Sequence, residues 1–97
     1  MIYHITSEQA WHEAKAKGFY EAASLAKEGF IHNSSKLQLP GVQQRYYKDA
    51  TGMIVLHIDE AKLTSPLKYE LAPSINEIFP HVYGPINIDA VVNTEPL

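Results

Sequence analysis

Three histidines stand where a short apolar run gives way to small or turn-forming residues. His4 follows Met1-Ile2-Tyr3, His32 follows Gly29-Phe30-Ile31, and His81 follows Phe79-Pro80. Hydroxyls come two residues after the first two, from Thr6 and from Ser34 with Ser35, while Tyr83 and Gly84 come after the third. A neutral imidazole donates one hydrogen bond and accepts another, and it titrates near physiological pH. Beside a hydroxyl at a strand end, it suits a polar ligand. If His4 and His32 end neighbouring strands at matching positions, their rings share one cleft.

Each candidate also has a structural reading. Around His32, Ser34 and Ser35, a ligand oxygen could meet an imidazole, a hydroxyl and the N-terminus of the next helix together. Alternatively, His32 is a hydrogen-bonded core residue and Ser35 a helix cap. Tyr83 could stack on a flat ring while the backbone at Gly84 closes in, or His81, Tyr83 and Gly84 form a rigid turn at the core edge. Glu70, flanked by strand-forming residues, could stabilise a developing positive charge or be simply solvated. His57 lies inside an apolar run and reads as a satisfied buried histidine, and His12 as exposed on a helix. Catalytic zinc can use three histidines. No pair among His4, His32 and His81 has a tight ligand spacing, so no metal is expected. No Gly-x-Ser-x-Gly elbow offers a serine nucleophile.

Composition narrows the classes. The chain has 97 residues, enough for one domain and one core. Apolar residues make up 45% and charged residues 20%, the balance of an ordinary globular domain. No apolar run approaches the roughly 18 residues of a membrane span, and the N-terminus lacks a secretory pattern, so the expected location is cytoplasmic. Cysteine is absent, which excludes disulfides and a thiolate nucleophile. Eight basic residues are scattered over a chain of net charge −3, so a general nucleic-acid binder is not expected. A small-molecule nucleotide remains compatible with so few cations.

The elements that must position these residues follow from pattern. Ile2 to Ile5 reads as a strand, then Thr6 as an N-cap with Gln9 completing a capping box, and Gly18 as the helix stop. Trp11 anchors that helix. Phe19-Tyr20 is a brief extended piece, and Ala22 to Glu28 a short helix closed by Gly29. Phe30 to His32 is a second strand. Pro40 fits the first turn of a third helix, on which Val42 and Tyr46 share a face. Met53 to Ile58, almost continuously apolar, reads as a central strand covered on both faces. Leu67 to Leu71 is a strand, Pro73 to Pro80 irregular or briefly helical, and Ala90 to Val92 a last strand. The order predicts an α+β domain with a largely antiparallel sheet and two or three short helices.

The segments His4-Ile5-Thr6, Glu28-Gly29-Phe30-Ile31-His32, Arg45-Tyr46-Tyr47, Tyr69-Glu70 and Phe79-Pro80-His81-Val82-Tyr83-Gly84-Pro85-Ile86-Asn87 resemble, in order and over nearly the whole chain, a small bacterial family known as domain of unknown function 952. That family is similar in fold and motif layout to the ADP-ribosyltransferase superfamily. The resemblance implies NAD as cofactor, with His4 in the first motif and His32 with Ser34 in the second, like the His-x-Ser strand of RNA 2′-phosphotransferases. Either Glu70 or His81 would fill the third motif. It further implies His4 on a ribose hydroxyl and Thr6 among the cofactor-binding residues, with His32 and Ser34 at the nicotinamide side or diphosphate. Tyr83 and Gly84 would lie against a flat ring, Glu70 would face the cation, and Arg45 would meet a phosphate. The expected activity is NAD-dependent ADP-ribosyl transfer or NAD cleavage; the alternative is a non-catalytic binding module that keeps the fold. Phosphotransfer on an RNA end is disfavoured by the negative charge and the lack of a paired-arginine clamp.

Overall fold

A computed structural model describes all 97 residues, Met1 to Leu97. Strand β1 (Ile2–Ser7) runs antiparallel to β4 (Met53–Ile58), pairing Ile2 with Ile58, His4 with Leu56 and Thr6 with Ile54. Strand β8 (Val91–Pro96) covers the other edge of β4, so the apolar run is the central strand, as expected. Because side chains alternate along a strand, Ile2, His4 and Thr6 share one face of β1. That face is covered, and it takes His4 inside with the two residues that flank it.

Helix α1 (Glu8–Lys17) begins one residue later than the sequence suggests. Ser7, not Thr6, is its N-cap: the Ser7 hydroxyl accepts from the Ala10 N–H at 3.0 Å. Thr6 belongs to the strand and its hydroxyl is engaged inside, so no capping box forms, and Gln9 pairs with Glu13 instead. Gly18, at φ 100°, closes the helix in the left-handed region where glycine carries no Cβ penalty. Then come β2 (Phe19–Tyr20), α2 (Ala23–Glu28), β3 (Ile31–His32) and α3 (Leu39–Tyr46), with Pro40 in its first turn.

Half of the segment expected to be irregular, Glu77 to Pro80, is strand. After β5 (Leu67–Ala72), a turn with Asn76 at φ 52° leads into β6 (Glu77–Val82), which pairs with β5 along its whole length. Asn tolerates this conformation. Pro80 misled the reading because proline is rarely internal to a sheet. Here its carbonyl accepts from the Asn33 N–H at 3.0 Å, but it has no N–H to return the bond. The pairing of β3 with β6 accordingly stops at Ile31 with Val82 and His32 with His81.

The domain is α+β with three helices, and every strand pairing is antiparallel. The single sheet expected is instead three: β1-β4-β8, β3-β6-β5, and a two-stranded piece of β2 with β7 (Ile86–Asn87). Strands of two residues cannot extend a ladder far, and a lone Tyr3–Ser34 bridge links the two larger sheets. Trp11 of α1, Leu56 and Ile58 of β4, Ile31, Val82 and Ile86 meet in one core. Full burial of side chains of this size contributes about 1.5 to 3 kcal/mol each. The radius of gyration, 12.5 Å, is that of a single domain of this length. No helix is long and apolar enough to cross a membrane.

Candidate functional site

The two larger sheets meet at the Tyr3–Ser34 bridge, where both N–H to carbonyl bonds are 2.8 Å long. Beside this seam lies a cleft of about 930 Å³. His4 and Thr6 of β1, His32, Ser34, and His81 of β6 all line it. The pairing of His32 opposite His81 brings their rings edge-on, with centroids 5.3 Å apart. Three imidazoles remote in the chain therefore gather at one hollow.

His4 is buried and spoken for. Its Nδ1 faces the carbonyl of His32 at 2.5 Å, and its Nε2 faces the Tyr20 hydroxyl at 2.7 Å. Burial depresses its pKa to about 4, against the favourable pull of that carbonyl, so the ring is neutral at physiological pH. A carbonyl only accepts, so Nδ1 carries the hydrogen and Nε2 must accept from Tyr20. The Tyr20 hydroxyl has then used its one hydrogen, and Thr6 Oγ1, 3.0 Å away, donates to it. The chain Thr6, Tyr20, His4, His32 carbonyl is complete, so neither ring nitrogen of His4 is left free for the ribose hydroxyl expected of it. His4 instead ties β1 to the backbone of His32.

His81 is different. It is buried, with Phe30 stacked on it at 4.0 Å, and Glu70 Oε1 accepts from its Nδ1 at 2.8 Å. The same Glu70 oxygen accepts from the Tyr83 hydroxyl at 2.5 Å. The bond from Tyr83, then the bond from His81, hold the Glu70 carboxyl below the usual carboxylate range, and Glu70 in turn raises Tyr83. Neither Glu70 nor Tyr83 lines the cleft; only His81 does. Glu70 was expected to face a cation and Tyr83 a flat ring, and both stand behind the imidazole instead. Gly84 is also elsewhere: at φ 155° its backbone packs against Ser65, whose Cβ would lie 2.9 Å from a side chain placed there. It serves a tight turn, not a ligand.

His32 reaches the mouth of the cleft, its side chain half exposed and its Nε2 2.7 Å from Glu28 Oε2. The helix start expected beside it is displaced. Ser35 and Gln38 bond to each other across a turn, and α3 begins only at Leu39. Asn33, read from sequence as a turn residue, is almost wholly buried and lines the cleft. Its amide N–H donates to the Ile31 carbonyl at 2.9 Å, but its Oδ1 has no partner.

Helix α3 contributes Val42, Arg45 and Tyr46 to the lining, followed by Tyr47. Val42 and Tyr46 share a face, as their spacing requires. Arg45 makes no ion pair with any carboxylate and lies over the Tyr46 ring at 5.8 Å. It is the only Lys or Arg lining the cleft. Burial raises the pKa of both Tyr20 and Tyr47, keeping them protonated donors. Tyr20, Asn33 and Phe30 are the site residues that reasoning from the sequence passed over. Phe30 stands one residue and Tyr20 two residues after a helix-closing glycine, the one signal that could have marked them.

Trp11 is buried and His12 exposed, as expected. His57 is partly buried against the Tyr3 ring. Its Nε2 lies 3.3 Å from Glu95 without hydrogen-bond alignment, so it is not the satisfied histidine its strand suggested. No group of three or more His, Asp or Glu side chains is placed to hold a metal ion.

Comparisons with known proteins agree with this architecture. The crystal structure of protein CC0527 from Caulobacter crescentus is similar at a TM-score of 0.89, with 30% identity over 99% of this chain and 84% of that one. The solution NMR structure of CC0527 gives a TM-score of 0.84 at 30% identity, covering 99% of this chain and 83% of that one. No protein of curated function matches. The family described as protein of unknown function (DUF952) matches residues 5–94, and the chain belongs to that family.

Proposed function

We propose that the cleft binds a nucleotide, NAD or a close relative, in an ADP-ribosyltransferase-like domain. The supporting observation is the gathering of His32, Ser34 and His81 around one hollow whose lining includes a single unpaired cation, Arg45. The volume stands near the upper end of the range for small-molecule sites, about 300 to 1,000 Å³. Phe30, Tyr46 and Tyr47 supply flat apolar surface for a ring, and Arg45 supplies charge for a phosphate. Cleavage of a nicotinamide–ribose bond develops positive charge at the sugar, so a site gains by fixing the leaving group and placing electron density beside that carbon.

Titration of NAD or ADP-ribose into ¹⁵N-labelled protein tests this reading. Backbone amides of residues 20, 32 to 34, 45 and 81 move together at millimolar nucleotide. Shifts confined to other surfaces, or none at all, refute it.

One observation favours a second reading, a binding module without catalysis. Glu70, the strand carboxylate expected to meet the cation, is separated from the cleft by His81. On that reading NAD binds and is recovered intact after prolonged incubation.

A further inference from the structure

The cluster of Glu70, His81 and Tyr83 points to a chemistry that does not require a carboxylate inside the cleft. Glu70 accepts the Nδ1–H of His81 from behind, and this is the only side-chain hydrogen bond His81 makes, so its Nε2 is not engaged. Phe30 stacks on one face of the ring and His32 closes one edge, so rotation of the imidazole is restricted. Tyr83 donates to the same Glu70 oxygen, and Lys68 lies over the Tyr83 ring at 4.8 Å. An acceptor-only carboxylate fixes hydrogen on Nδ1, which leaves the lone pair on Nε2. That is the opposite of the tautomer a free histidine side chain prefers. A carboxylate that orients an imidazole in this way also stabilises the imidazolium formed when Nε2 takes a proton.

We propose that His81 is the proton acceptor of this site and Glu70 the positioning residue that sets its tautomer, so that the cleft activates a hydroxyl for attack. The inference rests on the nucleotide reading for the identity of the electrophile. The hydroxyl belongs to water or to an alcohol acceptor. Its O–H bond breaks and the proton bonds to Nε2. The oxygen electron pair forms a bond to the anomeric carbon of the ribose. The bond from that carbon to the nicotinamide nitrogen breaks with its pair on nitrogen, so nicotinamide leaves neutral. The imidazolium, held by Glu70, then returns its proton to solvent.

Long-range ¹H–¹⁵N spectra of the imidazoles at neutral pH read the tautomer directly, in the wild type, Glu70→Gln and Tyr83→Phe. The expected result is an Nδ1–H tautomer at His81 in the wild type and in Tyr83→Phe, lost in Glu70→Gln. Carbethoxylation by diethyl pyrocarbonate, followed by peptide mass spectrometry, is several-fold slower at residue 81 in Glu70→Gln than in the wild type. A wild-type His81 carrying its hydrogen on Nε2, or modification rates at residue 81 indifferent to Glu70, overturns the assignment. Addition of NAD to the same samples separates the two claims. If the tautomer is as stated but nothing moves with NAD, the nucleotide reading falls and the oriented base stands. If NAD shifts the cleft amides while the tautomer is Nε2–H, the reverse holds.

Discussion

The Nδ1–H of His4 donates to the backbone carbonyl of His32 at 2.5 Å, tying the first candidate motif to the second through a buried, neutral imidazole. The folded protein binds a proton at this ring only near pH 4, whereas an unfolded histidine does so near 6.5. Between these values the unfolded state holds more protons, so stability falls as pH is lowered from 6.5 towards 4. The full shift corresponds to about 3 kcal/mol. Denaturant melts of the wild type and His4→Gln across this interval check it. The wild-type loss is steep and the variant's shallower; parallel curves would contradict the assignment.

Glu70 has the same sign in a lower pH window. Its folded pKa is depressed by the Tyr83 and His81 bonds, so its contribution is present above the ordinary glutamate value of 4.5 and is lost as pH falls below it. The stability difference between the wild type and Glu70→Gln therefore narrows below about pH 4.5. Thermal melts at stepped pH measure the difference.

Ser7→Ala removes the N-cap of α1 and is expected to cost about 1 kcal/mol, with the bonded chain to His4 intact. Thr6→Ala leaves the cap intact but interrupts the bonded chain to His4, so its effect appears in the imidazole resonances of His4. Denaturation paired with imidazole spectra separates the two roles.

Gly84→Ala forces a methyl group against Ser65 and is expected to destabilise by about 1 to 3 kcal/mol, without changing nucleotide affinity in the surviving fold. Adding Ser65→Gly recovers part of the loss. Failure of that rescue would mean that the close approach is not what requires glycine.

Arg45→Ala is expected to leave stability unchanged, because the guanidinium is exposed and has no carboxylate partner. Loss of one charged hydrogen bond weakens nucleotide binding by about 1.5 kcal/mol, roughly tenfold in Kd. Calorimetric titration with ADP-ribose reads the change, which shrinks as salt rises.

Much of the scaffold was legible because apolar periodicity and glycine stops are local signals. Met53 to Ile58 announced the central strand, and Gly18 and Gly29 closed their helices where expected. The β6 strand was hidden by Pro80, whose tolerance depends on β3 ending beside it, a fact of pairing and not of sequence. Strand-end position did mark three histidines that line one cleft. It could not reveal that alternation along β1 carries the His4 ring inward, or that Glu70 lies behind His81, since both follow from register. Asn33 resembled any turn residue until its burial exposed a carbonyl oxygen without a partner.

The central claim is that the histidine cleft is a nucleotide site. A crystal structure of the protein grown with ADP-ribose tests it most directly. The account predicts density between Arg45 and His81, with the diphosphate at the guanidinium and the ribose at Nε2 of His81. An empty cleft at saturating ligand, or a nucleotide seated on another face, would contradict it.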